Sequence, residues 1–139
     1  MKINFFFDIS RKSEIIDTIL ATKLIKNLLV QEKKKLGEIN VTFTDNKRIL
    51  AINKEFLNHN YYTDIITFNN CIKNVVNGDL LISLDQVEIN ARKYRYSTEK
   101  ELLRVILHGV LHLVGYNDSN DDEIRIMRKK EDTYLCGLN

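Results

Sequence analysis

Residues Leu102–Asp118 read LLRVILHGVLHLVGYND, an apolar stretch that carries two histidines and then breaks at a glycine. His108 and His112 are four residues apart, so on a helix they share one face with Cβ atoms about 6 Å apart. That spacing lets two imidazole nitrogens reach one ion at about 2.0–2.1 Å. Gly115 lets the chain leave the helix, and Asp118 follows three residues later. A carboxylate returning across that turn supplies a third ligand. The pattern H-x3-H-x5-D gives two neutral donors, one anionic donor and an open position. Catalytic zinc uses three protein ligands, whereas structural zinc is usually closed by four. The expectation is a hydrolytic metal centre at the end of a central helix. Two histidines at this spacing can equally be core residues with satisfied hydrogen bonds, and Asp118 can equally cap the next helix.

Working outward, Thr98 and Glu101 have capping-box spacing ahead of the histidine helix, which is apolar on most sides and therefore expected to be buried. Arg104 lies one turn before His108 on the same face. There it can approach a developing phosphate charge, or pair with Glu101 or Glu99. Gly109 occupies the position where H-E-x-x-H enzymes carry their catalytic glutamate, which argues against a protease of that type. Asp121, Asp122 and Glu123 favour the start of a last helix, with Ile124, Met127, Leu135 and Leu138 on its inner face.

Upstream, Ile3–Phe7 is rich in strand formers. Ser13 is placed to cap a helix from about Glu14 to Lys35, with Lys33–Lys35 complementing its dipole and Gly37 as a stop. Glu38–Thr44 alternates as a second strand. Asp45 or Asn46 caps a short helix bearing Ile49, Leu50, Ile52 and Phe56. Asn58–Tyr62 reads as a loop, Asp64–Phe68 as a third strand, Asn69–Asn77 as an exposed connection and Leu80–Leu84 as a fourth strand. Asp85 caps a helix to about Tyr94. The order predicts one α+β domain over residues 1–139, a mixed four-stranded sheet packed by about five helices.

The chain is long enough to bury a core without cross-links. Its 44% apolar and 29% charged residues are those of a soluble globular protein. No apolar run reaches the length of a membrane span, and Asp8 ends the first run too early for a signal peptide, so a cytosolic location is expected. Cys71 and Cys136 lack metal-type spacing and read as reduced thiols. A net charge of +2 permits nucleic-acid contact without arguing for it.

The run His108-Gly109-Val110-Leu111-His112-Leu113-Val114-Gly115-Tyr116 resembles the YbeY family signature HGxLHLxGYDH at nine consecutive positions. Thr63–Phe68 resembles that family's TDVLSF segment, Gly78–Ser83 its GDIxIS strand, and Asn53 with Phe56 the preceding helix. The resemblance implies a metal-dependent, single-strand-specific endoribonuclease acting in rRNA maturation, at the 3′ end of 16S rRNA, and in ribosome biogenesis. It implies one zinc per chain, with other divalent transition metals suited to the same donors, and rRNA and ribosomal subunits as partners. Against that stand a non-catalytic assembly or RNA-binding factor with a structural metal, and a metal-dependent hydrolase of another substrate.

His108, His112 and Asp118 would take the metal, and His108, His112, Arg104 and His59 would serve catalysis. The sequence departs from the family pattern twice. Asp118 stands where the third ligand is usually histidine, which keeps the site but makes the ion less electrophilic. Leu57 stands where an arginine is usual, with His59 two residues on. Lys54, Arg92, Lys93 and Arg95 are candidate phosphate contacts, with Tyr61, Tyr62, Tyr94 and Tyr96 as stacking candidates. Ser83 and Thr63 are candidate cleft residues.

Overall fold

A computed structural model describes residues 1–9, 16–56 and 63–136. Its elements are β1 (Lys2–Phe7), α1 (Thr18–Gln31), β2 (Lys35–Thr44), α2 (Asn46–Phe56), β3 (Ile65–Asn69), β4 (Val75–Ser83), α3 (Leu84–Tyr94), α4 (Thr98–Leu113) and α5 (Asp121–Leu135). The order of strands and helices is the expected one. The sheet runs β1-β2-β4-β3. β1 and β4 are parallel to β2, while β3 and β4 form an antiparallel hairpin. The sheet is therefore mixed, as the short helical links suggested.

Period-2 alternation divides the sheet faces. Ile39, Val41 and Phe43 of β2 and Val76, Leu80 and Ile82 of β4 are buried in one cluster with Leu24, Ile25 and Leu28 of α1 and the apolar side of α4. Each such side chain stabilises the fold by about 1.5–3 kcal/mol. On the other face, the Asn4 amide donates to Asn40 at 2.9 Å and the Asn40 amide donates to Asp79 at 3.0 Å, a polar row across three strands. Ile66 of β3 and Ile49 of α2 are buried outside the main cluster, and α2 packs on β3 and β4.

Several boundaries differ from the expectations. Asp17 caps α1, its Oδ1 accepting from the N–H groups of Ile19 and Leu20 at 3.0 Å; Ser13 and Glu14 lie outside the described residues. The helix ends at Gln31 rather than Lys35. Lys33 turns left-handed (φ 59°), with Lys34 N–H on the Leu29 carbonyl at 2.8 Å and Lys33 N–H on Val30 at 3.1 Å. The left-handed turn costs a lysine about 1–2 kcal/mol, offset by satisfying the terminal carbonyls. Lys35 then opens β2, and Gly37 lies inside that strand. β4 begins at Val75, so the 75–77 end of the expected connection pairs with β2, Val75 opposite Lys35. Ser83, not Asp85, caps α3; Asp85 instead accepts from Asn46 N–H at 3.0 Å. Ser97 rather than Thr98 caps α4, and Asn120 caps α5. Ile124 is exposed on α5, whose inner face carries Met127, Glu131 and Tyr134.

α4 is the hub, packing on α1, α3, α5, β3 and β4. Gly109 permits this approach: a Cβ there would lie 2.6 Å from Ile65 Cδ1 and 2.9 Å from Leu80 Cδ2. The position that carries glutamate in zincins thus faces packed apolar side chains in this fold. Among the described residues no helix is long and apolar enough to cross a membrane.

Candidate metal centre and its cleft

α4 ends in a Schellman turn. Tyr116 N–H donates to the Leu111 carbonyl at 3.0 Å, Gly115 N–H donates to His112 at 3.1 Å, and Gly115 takes φ +112°, a value that favours glycine. The chain then doubles back and brings Asp118 against the two histidines. Nε2 of His108 and Nε2 of His112 are 3.0 Å apart, and Asp118 Oδ2 lies 3.3 Å from the first and 3.4 Å from the second. Donors at 2.0–2.1 Å from a tetrahedral ion are about 3.3–3.4 Å apart. The three atoms therefore match one face of a zinc tetrahedron closely. The three residues could hold a metal, which fits the expected ligand set.

The other ring nitrogens support the same reading. His112 Nδ1 lies 2.9 Å from the Tyr116 carbonyl, which only accepts, so Nδ1 carries the proton and Nε2 is left as a lone pair in the neutral ring. His108 Nδ1 lies 2.7 Å from Glu131 Oε2, and an ionised carboxylate fixes the same tautomer. Burial pulls His108 down, but the hydrogen bond and charge of Glu131, with the charges of Asp64 and Asp118, outweigh it and lift its pKa above the usual histidine value.

Arg104 does sit one turn before His108, but its guanidinium is committed. Nη1 donates to Glu131 Oε1 at 2.9 Å and Nη2 to Asp132 Oδ1 at 2.7 Å. Only 6% of its side chain is exposed, and Glu131 is 3% exposed, so this is a buried brace, and neither Glu99 nor Glu101 is the partner. Burial works against its charge; the bonds to Asp132 and Glu131 hold its pKa above the ordinary arginine value.

A cleft of about 260 Å³ opens beside His108 and Asp118, lined also by Asp64, Asn90, Tyr94, Glu101, Arg104, Arg128 and Glu131. Asp64 precedes β3 and accepts from the Asn90 amide at 3.2 Å. Burial raises its pKa, opposed by the charge of His108. Glu101 is pushed up by burial and then by Asp64.

Of the other expected residues, Tyr94 reaches the cleft. Ser83 is fully buried, donating to Asn46 Oδ1 at 2.6 Å, and Thr63 bonds the Ile65 carbonyl at 3.4 Å; neither lines the cleft. Lys54, Arg92, Lys93 and Arg95 are exposed. Tyr96 carries Lys100 over its ring at 4.1 Å. His59, Leu57, Tyr61 and Tyr62 lie outside the described residues. Sequence reasoning missed Glu131, Asp64 and the Tyr116 carbonyl. A signal existed for Glu131: spaced four from Met127 and three from Tyr134, it is a carboxylate on an inward helical stripe.

A single α+β domain whose central helix and following turn gather two histidines and a carboxylate beside a cleft defines a small domain with a candidate metal centre. The family described as Endoribonuclease YbeY matches residues 7–139. Proteins named Endoribonuclease YbeY are similar to the chain: one from Porphyromonas gingivalis is 46% identical over 137 residues, covering 99% of this chain and 90% of its own length. Another from Bacteroides thetaiotaomicron is 45% identical over 115 residues, 83% of this chain and 84% of that one. A Thermotoga maritima protein solved in solution superposes with a TM-score of 0.69 at 27% identity, over 96% of this chain and 87% of that one. The chain belongs to the YbeY family.

Proposed function

We propose that the protein is a metal-dependent endoribonuclease that cleaves single-stranded RNA in rRNA maturation, at the 3′ end of 16S rRNA, and serves ribosome biogenesis in the cytoplasm. The observation that carries the chemistry is the triangle of His108, His112 and Asp118 donors beside a cleft. The substrate class follows from the family, whose curated relatives are named for endoribonuclease activity.

Zinc is the default ion, one per chain, and other divalent transition metals suit the same donors. Held by these three residues, the ion would supply Lewis acidity, polarising a phosphoryl oxygen and acidifying a water. The chain's own residues do the rest. Glu131 and the Tyr116 carbonyl hold the Nδ1 protons, so that in the neutral rings Nε2 is the atom left with a lone pair for the ion. Asp64, half-buried and held by Asn90, is the carboxyl of the cleft suited to accepting or returning a proton at Oδ1 or Oδ2. Tyr94 and Arg128 flank the cleft where an unpaired base and its phosphate would lie, and Arg92, Lys93 and Arg95 extend that basic margin.

Cleavage of a single-stranded RNA by zinc-loaded protein tests this reading. His112→Ala is expected to lose both stoichiometric metal and cleavage. Asp64→Asn is expected to keep the metal and lose at least about 10²-fold in rate. Cleavage unchanged in His112→Ala, or absent from the loaded wild type, would sink the proposal.

A further inference from the structure

A polar cluster lies away from the cleft, between the end of α1 and the inner face of α5. Glu32, which caps the C-terminus of α1, accepts at Oε1 from the Tyr116 hydroxyl at 2.7 Å. Its Oε2 accepts from Lys130 Nζ at 3.1 Å and from the Tyr134 hydroxyl. The ammonium of Lys130 stands 5.5 Å from the Tyr116 ring centre and 5.9 Å from that of Tyr134. Burial works against ionisation of Glu32, but the bonds from Tyr134, Tyr116 and Lys130 outweigh it and hold its pKa below the ordinary value. It is an anion with three donors on it.

Tyr116 is the member that connects this cluster to the metal centre. Its hydroxyl rests on Glu32, and its carbonyl takes the Nδ1 proton of His112 at 2.9 Å. It is also the residue at which the Schellman turn releases the chain, two positions before Asp118. One side chain thus ties the far end of α1 to the orientation of one ligand and to the return path of another. The Schellman bonds hold this turn from the helix side, and the Tyr116–Glu32 bond is a second hold from outside it.

We infer that Glu32 is a positioning residue for the metal centre, acting through the Tyr116 hydroxyl to fix the carbonyl that orients His112 and the turn that delivers Asp118. The inference rests on the reading that His108, His112 and Asp118 hold a divalent ion. A support behind a ligand, when removed, weakens metal affinity about 10- to 100-fold.

The test is zinc affinity of the full chain by chelator competition, with thermal unfolding in chelator and at saturating zinc. Tyr116→Phe removes one oxygen and keeps the ring, so folding is expected to survive. It should bind zinc about 10-fold or more weakly, and the rise in Tm on adding zinc should shrink. Glu32→Ala should do the same, and Glu32→Gln, which retains an acceptor, should recover part of the loss. Lys130→Ala leaves the Tyr116–Glu32 bond in place and should stay within about 2-fold of wild type. A cluster that only ties α1 to α5 would lower Tm equally with and without zinc and leave the affinity alone. Unchanged affinity in both Tyr116→Phe and Glu32→Ala, with the wild type binding stoichiometrically, overturns the inference. A wild type that binds no metal overturns the metal reading first, and this inference with it.

Discussion

The two histidines of α4 are held from opposite sides by different means. His108 leans on Glu131, a buried carboxylate braced by Arg104, whose other arm reaches Asp132. His112 leans on a backbone carbonyl in a turn. The first support is charged: it fixes the tautomer and also makes the ring more basic, so a metal there must displace a more tightly held proton. The second fixes the tautomer through a neutral dipole and adds no net charge. Ligands equivalent in a coordination diagram thus differ in what they cost the protein. Burying the Glu131–Arg104 pair demands that both partners stay, because removing one leaves a charge stranded in the core. The carbonyl demands only a turn that does not move.

The sharpest way to break this comparison is Glu131→Gln. It keeps shape but removes the charge under His108, leaving Arg104 with the exposed Asp132 as its closest anionic partner. We expect a loss of about 3 kcal/mol in unfolding free energy, measured by urea denaturation in chelator. We also expect a zinc affinity lower by about tenfold or more. Stability within about 0.5 kcal/mol of wild type would show that the brace is dispensable.

A smaller effect follows His108 with pH. In metal-free protein the folded pKa of His108 lies above its unfolded value. The stability this group contributes is therefore fully present below the unfolded pKa, near 6.5, and is lost as pH rises through the folded value. Zinc reverses the sign, because binding expels the proton: the Tm gain on zinc addition grows as pH rises over the same window. Denaturation curves from pH 5 to 9 with and without zinc check both slopes, and Glu131→Gln should flatten the metal-free one. Parallel slopes would mean that Glu131 does not set the basicity of His108.

The smallest effect concerns Asp118, the exposed carboxylate of the proposed ligand set. Asp118→His replaces an anionic donor with a neutral one. Zinc should remain bound, and without the anionic donor the ion should acidify a bound water more strongly, moving the acid limb of the pH–rate profile for RNA cleavage to lower pH. An unmoved limb would detach that limb from the ligand set.

Much of the candidate centre was legible because its three residues are local. The i, i+4 pair and the glycine that turns the chain back lie within eleven residues, and helix geometry alone brings them together. The supports were not legible for the opposite reason. Glu131 is 23 positions from His108 and Glu32 is 84 from Tyr116, and only packing of α5 and α1 on α4 makes them neighbours. Element order followed from periodicity, but caps fell a residue or two away wherever polar residues cluster, as at Ser83 and Asp85 or Ser97 and Thr98. Each of those side chains can cap, and tertiary contacts decide which one does. The end of α1 was misplaced because a lysine, not a glycine, takes the left-handed position.

Gly109 limits how this helix can change over time. At Gly109 the helix has no room on its sheet side for a further side chain, so a glutamate placed there, as in zincins, is closed to it. On the proposed reading the proton-handling group comes from a different segment, Asp64 at the threshold of β3. On that reading metal capture and proton transfer rest on separate segments, so a change at Asp64 leaves the triangle of His108, His112 and Asp118 intact.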